Sequence, residues 1–214
     1  MLQAGLFESP AHELEAAVSD GSLPRGLAFL PDFISAAEER DLVASLDDPS
    51  RSTWSHELSR RVQHFGYRYN YKLRALSAAD KIAEAPEAIR ALGHRLVDLG
   101  YFASAPDQVI VNEYEPGQGI SPHVDRETCF GSAVASLSLT SDVVMEFRSP
   151  ANEYGAILLP ARSLIVLRDE ARYSWKHSIS ARKRDTIQHC EFPRSRRLSL
   201  TFRTVLVADE DVGR

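Results

Sequence analysis

In the stretch DFISAAEERDLVASL, Ser35 stands where a helix cap belongs, and Glu38, three residues on, completes a capping box behind the apolar pair Phe33 and Ile34. A second helix is predicted in APEAIRALGHRLVDLG, with Pro86 near its first turn and Gly100 at its end. Beyond Asp107 the texture changes. Short β-branched or alternating runs follow one another: DQVIVNEY, AVASLSL, DVVMEFR, GAILLP, RSLIVLR, KHSISAR and RRLSLTFRTVLV. Many short strands broken by turn residues predict a sandwich, jelly roll or barrel. Residues 1–24, with short apolar patches and the turn-like SDGSLPRG, predict an arm or edge element. The pattern is α+β, mainly a β core, with a helical N-terminal layer supporting it.

A length of 214 residues suits one large domain. The hydrophobic share of 43% and charged share of 26% are those of an ordinary globular protein. No apolar run approaches the roughly 20 residues that span a bilayer, and the N-terminus lacks a secretory pattern, so a cytoplasmic, non-membrane protein is expected. Cys129 and Cys190 are too few for a disulfide framework or a cysteine-based zinc site. The net charge of −5 argues against a globally basic nucleic-acid binder and leaves local basic patches open. A monomer is expected.

The first chemical signal is NEYEPGQGISPHVD. His123 and Asp125 are two residues apart, and on an extended chain such side chains point the same way. His177, in YSWKHSISA, lies 52 residues beyond Asp125 at the predicted start of a strand. Two histidines and a carboxylate on one face leave open positions on an octahedral metal, which suits non-haem Fe(II). HxD alone is a weak signal, because a strand histidine is more often a hydrogen-bonded structural residue. The ending RRLSLTFR strengthens it. Arg197, Ser199, Thr201 and Arg203 alternate with Leu198, Leu200 and Phe202, making one face cationic and hydroxylic and the other apolar. Two arginines facing a barrel interior are costly unless each meets an anion, and a dicarboxylate satisfies both. The plainer alternative is an exposed edge strand with solvated arginines.

Together these motifs resemble the AlkB family of Fe(II)/2-oxoglutarate-dependent dioxygenases, in order and approximate spacing, from about Tyr67 to Val205. SLSLTSDVVMEF and LPARSLIVLRDEARYSWKHSI resemble the branch associated with tRNA wobble-uridine modification. The resemblance implies a double-stranded β-helix (jelly roll), with His123, Asp125 and His177 as iron ligands and molecular oxygen as co-reactant. It implies that Asn112, Tyr114, Arg197 and Arg203 hold 2-oxoglutarate, with Ser199 and Thr201 lining the same site. Arg203 would take the carboxylate beside the metal-bound keto group; Arg197 with Tyr114 would take the distal one. Ser199 stands where some members carry asparagine. The expected division is an arm over 1–24, a helical support layer and nucleotide-recognition lid over 25–106, the dioxygenase core over 107–208 and a tail over 209–214.

HFGYRYNYK carries the substrate signal. Read as a strand, it sets Phe65, Tyr67, Tyr69 and Tyr71 on one face and Arg68, Asn70 and Lys72 on the other; aromatic faces stack on bases and cations meet phosphates. The resemblance assigns Tyr67 and Tyr69 to the substrate and leaves Phe65 and Tyr71 as core candidates. It places Glu127 where some members read a base edge, sharing a face with the metal ligands if the strand continues. Leu167 stands where the bacterial repair enzymes carry a stacking aromatic. The basic clusters ARKRD and PRSRR are candidates for backbone contact. The expected activity is oxidative demethylation or hydroxylation of an alkylated base in RNA or single-stranded DNA; a protein side chain or small metabolite is the alternative. A cupin-like binding domain without turnover is disfavoured by the complete triad and the two arginines.

Overall fold

A computed structural model describes residues 17–50 and 53–206; residues 1–16 of the expected arm and the tail lie outside the described residues. Strands β1 (Ser19–Gly21), β2 (Leu27–Leu30) and β3 (Val62–Phe65) precede the main β region. That region contributes β4 (Gln108–Tyr114), β5 (Ile120–His123), β6 (Phe130–Leu139), β7 (Val143–Arg148), β8 (Tyr154–Leu159) and β9 (Leu164–Leu167). It continues with β10 (Lys176–Ile179), β11 (Arg184–Ile187), β12 (Cys190–Pro193) and β13 (Arg197–Val205). A six-stranded sheet runs β2-β9-β6-β13-β4-β3 and a five-stranded sheet runs β1-β8-β7-β10-β5, with β11 and β12 as a separate hairpin. The two sheets form the expected double-stranded β-helix.

Helix α1 (Ala36–Asp47) starts as its sequence dictates: Ser35 Oγ accepts from the Glu38 amide at 3.2 Å, and the Glu38 carboxylate accepts from the Ser35 amide at 2.7 Å. Helix α2 (Glu87–Asp98) is preceded by Pro86 and closed by Gly100 at φ +75°, with the Tyr101 amide donating to Leu96 O. Leu42, Leu46, Ile89, Leu92 and Leu96 of these helices pack onto Val109, Val111, Leu198, Leu200 and Phe202 of the six-stranded sheet. A second core lies between the sheets, where Val134, Ile165 and Leu167 meet Met145, Phe147 and Ile157.

Strand β13 shows why alternation matters. Leu198, Leu200 and Phe202 are fully buried under the helices, and each such side chain contributes about 1.5–3 kcal/mol. That anchorage offsets the several kcal/mol needed to dehydrate an arginine and fixes Arg197, Ser199, Thr201 and Arg203 on the inner face. The strand is central, between β4 and β6, so the solvated-edge alternative is excluded.

Two expectations are corrected. The 25–106 segment is not only helical support and lid, since β2 and β3 from it join the core sheet at its two edges. The strand in HFGYRYNYK stops at Phe65. Gly66 takes φ +77°, and a Cβ there would sit 1.8 Å from Asp107 O, so only glycine passes this point. Residues 67–75 then form turns and isolated bridges, Tyr67 opposite Lys81 and Asn70 opposite Ala75.

Candidate metal and cosubstrate centre

His123 ends β5, and its cross-strand partner in β10 is His177. Asp125 follows two residues later in the loop after β5. Ligand atoms of His123, Asp125 and His177 all lie within 4.8 Å of one another. The His177 Nε2 to Asp125 Oδ2 distance is 3.5 Å. His123 Nδ1 is 2.8 Å from Ser121 O; a carbonyl only accepts, so Nδ1 is the donor and Nε2 is the nitrogen left to face the other two ligand candidates. Burial, then the neighbouring His123, Arg203 and Arg172, pull the His177 pKa down to about 3, so the ring is neutral at physiological pH. Burial raises the Asp125 pKa, but Arg203, His177, His123 and Arg172 outweigh it and hold the carboxyl well below its usual range. Two imidazoles and a carboxylate are the donor set of a non-haem Fe(II) site.

The triad opens into a cavity of about 470 Å³. Register puts Tyr114 opposite Arg197 and Asn112 opposite Ser199, so Asn112, Tyr114, Arg197, Ser199, Thr201 and Arg203 all line it. Arg197 is 3% exposed and donates from Nη2 to Ser138 Oγ at 2.7 Å, while its Nε and Nη1 have no partner among the described residues. Burial pulls its pKa down to about 10, which leaves it charged at neutral pH. Arg203 Nη2 lies 2.5 Å from Asp125 Oδ1, Nη1 donates to Gln108 Oε1 at 3.3 Å, and Nε has no partner among the described residues. Buried donors left unpaired cost about 1–3 kcal/mol each, so this wall is built for an anion. A dicarboxylate spanning Arg197 and Arg203 fits it.

Other expected residues divide. Tyr69 lines the cavity; Tyr67 does not, and Glu127 is exposed on a turn because the strand ends at His123. Tyr71, assigned to the core alternatives, lines the cavity instead, its ring 5.3 Å from Tyr69, with burial pushing its pKa up to about 12. Phe65 packs against the helical core. Leu167 is in the lining, and Cys129 is a buried thiol.

Arg60, Arg74 and Arg126 also line the cavity and were not distinguishable from surface arginines in the sequence. Arg60 Nε donates to Asn112 Oδ1 at 2.9 Å, and the guanidinium groups of Arg60 and Arg197 each lie 5.5 Å from the Tyr114 ring centroid. Most cations in the clusters ARKRD and PRSRR are paired with carboxylates of the chain itself. Arg182 and Arg194 converge on fully buried Asp185 at 2.6 Å each, Arg196 pairs with Asp47 and Glu113, and Arg184 with Glu191.

A model of the 2OG-Fe(II) oxygenase superfamily matches residues 26–203. The chain is 37% identical over 209 residues to tRNA (carboxymethyluridine(34)-5-O)-methyltransferase alkbh8 of Xenopus tropicalis, covering 86% of this chain and 32% of that protein. It is 30% identical to the mitochondrial alpha-ketoglutarate-dependent dioxygenase alkB homolog 7 of Bos taurus, covering 82% of this chain and 76% of that one. The chain thus spans about a third of the length of the Xenopus relative. The solved structure of OsALKBH1 superposes with a TM-score of 0.63 at 18% identity, over 86% of this chain and 98% of the other.

Proposed function

The chain belongs to the AlkB family of the 2OG-Fe(II) oxygenase superfamily and is a dioxygenase of that family, and from this premise we propose that it oxidises an alkyl substituent on a base of RNA or single-stranded DNA. His123, Asp125 and His177 would hold Fe(II); Arg197 and Arg203 would hold the two carboxylates of 2-oxoglutarate, with Asn112, Tyr114, Ser199 and Thr201 around it. Iron with 2-oxoglutarate and oxygen supplies an oxidant able to break a substrate C–H bond. The chain's own work is to orient. Arg203 ties Asp125 to the cosubstrate wall, and Arg197 with Tyr114 fixes the far end. Val134, Met145, Ile165 and Leu167 give the cavity that holds the triad an apolar wall.

The observation that carries the nucleic-acid reading is the composition of the cavity lining. Tyr69 and Tyr71 contribute rings, and Arg60, Arg74 and Arg126 line the same cavity; among the described residues none of the three is paired with a carboxylate. Stacking and phosphate contact need these two groups side by side. The name of the Xenopus relative points to tRNA carrying a modified uridine at position 34 as the first substrate to try. Oxidation of a carbon borne on nitrogen ends in demethylation; oxidation of a carbon-borne substituent ends in a stable alcohol. Leu167 and the net charge of −5 favour the second reading, a protein side chain or small metabolite.

Nucleosides from total RNA and from single-stranded DNA, incubated with Fe(II), 2-oxoglutarate and the protein, should show one alkylated nucleoside depleted and an oxidised or dealkylated product gained. Succinate formation stimulated by peptides or metabolites and by no nucleic acid would replace the first reading with the second.

A further inference from the structure

Arg172 is 1% exposed and makes no ion pair among the described residues. It lies on the short helix α3 (Asp169–Tyr173), five residues before His177, the strand partner of His123, with Ser174 and Trp175 in the connection to β10. Its guanidinium is spent on backbone carbonyls. Nη1 donates to Asp125 O at 2.8 Å, Nη2 to Phe130 O at 3.0 Å and Nε to Gly131 O at 3.1 Å. They flank one turn: the metal-ligand candidate Asp125 stands before it, and Phe130 and Gly131 are the first two residues of β6 after it. Three N–H edges of one planar fork thus fix both ends of that turn, which no ammonium or amide can do from one position.

The turn has further ties. The Cys129 and Phe130 amides donate to Arg126 O, and the Leu206 amide donates to Cys129 O at 2.8 Å. A Cβ at Gly131 would lie 2.3 Å from Thr204 Oγ1, so any side chain there would have to displace that hydroxyl. The Phe130 ring lies 4.7 Å from the Arg203 guanidinium and 5.6 Å from the Tyr69 ring. The segment that Arg172 grips therefore carries the carboxylate ligand, and its Phe130 ring touches the cosubstrate arginine and Tyr69.

A buried cation is costly to keep, and here its charge answers no carboxylate directly bonded to it. An apolar side chain would fill the volume without holding the carbonyls. We infer that Arg172 is a positioning residue for the metal centre, setting the orientation of the Asp125 carboxylate before any metal arrives and coupling it to the β10 segment that presents His177. The inference rests on the reading of His123, Asp125 and His177 as the metal ligands and not on the identity of the substrate.

Co(II) titration of the metal-free protein, followed by its visible absorption and by calorimetry, tests this. Arg172→Lys should bind Co(II) at least tenfold more weakly than wild type, within the roughly 10–100-fold range typical of groups that orient a metal ligand. In an Asp125→Ala background the same change should cost nothing further, because Arg172 acts through Asp125. Unchanged affinity, or an equal loss in both backgrounds, overturns the inference. Failure of the wild type to bind Co(II) overturns instead the metal reading beneath it. Should Arg172→Lys not fold, hydrogen exchange on the metal-free wild type decides. The Cys129 and Phe130 amides should exchange as slowly as those of β6, and exchange at free-loop rates shows that no preset turn exists.

Discussion

His177 and His123 are direct partners across the β10–β5 pairing, with ring centroids 4.3 Å apart. The register that seals the five-stranded sheet at this edge is therefore what creates the candidate metal centre, since two imidazoles this close either share a cation or repel when protonated. Asp125 supplies the compensating charge. The predicted outcome is that Fe(II) with 2-oxoglutarate, mixed anaerobically with the protein, produces a weak visible charge-transfer band, and that His177→Ala removes both band and turnover. Zinc and nickel should inhibit by taking the same ligands, as the affinity order of divalent metals implies. A band that survives in a folded His177→Ala protein would strike this residue from the ligand set.

Arg197 is the cleaner probe of the cosubstrate, because Arg203 also contacts Asp125. Losing one desolvated charge-assisted pair costs about 2–5 kcal/mol, so Arg197→Ala should raise the 2-oxoglutarate requirement at least tenfold while leaving Co(II) affinity near that of wild type. Arg197→Lys should restore it only in part, since an ammonium lacks the planar two-point contact. Arg203→Ala should weaken metal and cosubstrate together. Calorimetric titrations of each ligand in turn separate the two patterns.

Tyr69 and Tyr71 line the cavity and Tyr67 does not, so the three tyrosines should separate in binding assays. Stacking contributes about 1–3 kcal/mol per base, which sets the loss for Tyr69→Ala or Tyr71→Ala at roughly fivefold to a hundredfold. Tyr67→Ala should bind single-stranded RNA almost as wild type does. Fluorescence anisotropy with a labelled oligoribonucleotide at several salt concentrations measures this, and a shallow salt slope is expected from few phosphate contacts. Equal losses at all three positions would move the base out of this cavity.

His64 gives a stability prediction. Burial, followed by the nearby Arg68, lowers its pKa from 6.5 to about 4. Between those values the unfolded chain binds a proton that the folded chain refuses, so stability is full above pH 6.5 and falls as the pH drops towards 4. His177 is shifted the same way, so the slope has at least two contributors in the metal-free protein. His64→Gln should flatten it in part. Urea midpoints compared at pH about 7.5 and about 5 read the difference, and an unchanged slope would remove His64 from the account.

The sequence carried more of the centre than of its surroundings, for physical reasons. The period-two pattern of β13 is enforced by helices on one side and a cavity on the other, so Arg197 and Arg203 were legible as inward groups. The Ser35–Glu38 box was legible because its hydrogen bonds are local. The tyrosine run misled because its alternation continues past Gly66, where backbone geometry stops the strand. Arg172 left no pattern at all: its partners are carbonyls, which every residue has, lying more than 40 positions away. Likewise Asp185 draws in Arg194 from the far side of the β11–β12 hairpin, so a basic cluster that reads as solvated is neutralised within the fold.

The segment from Gly66 to Ala83 leaves the sheet and returns to the point it left, its ends tied by the Gly66 amide to Ala83 O and the Ile82 amide to Gly66 O. Tyr69, Tyr71 and Arg74 ride on this closed excursion, while the groups we assign to iron and 2-oxoglutarate project from the strands and the turn beneath. Much of the proposed recognition is thus written on a stretch of chain apart from the groups assigned to oxidation, and the two meet at Phe130, whose ring touches both Tyr69 and Arg203. Mutation can redraft the outer part of the excursion, changing the surface offered to a substrate, while the assigned ligands keep their places. A fold organised in this way can diversify its clientele while its chemistry stands still.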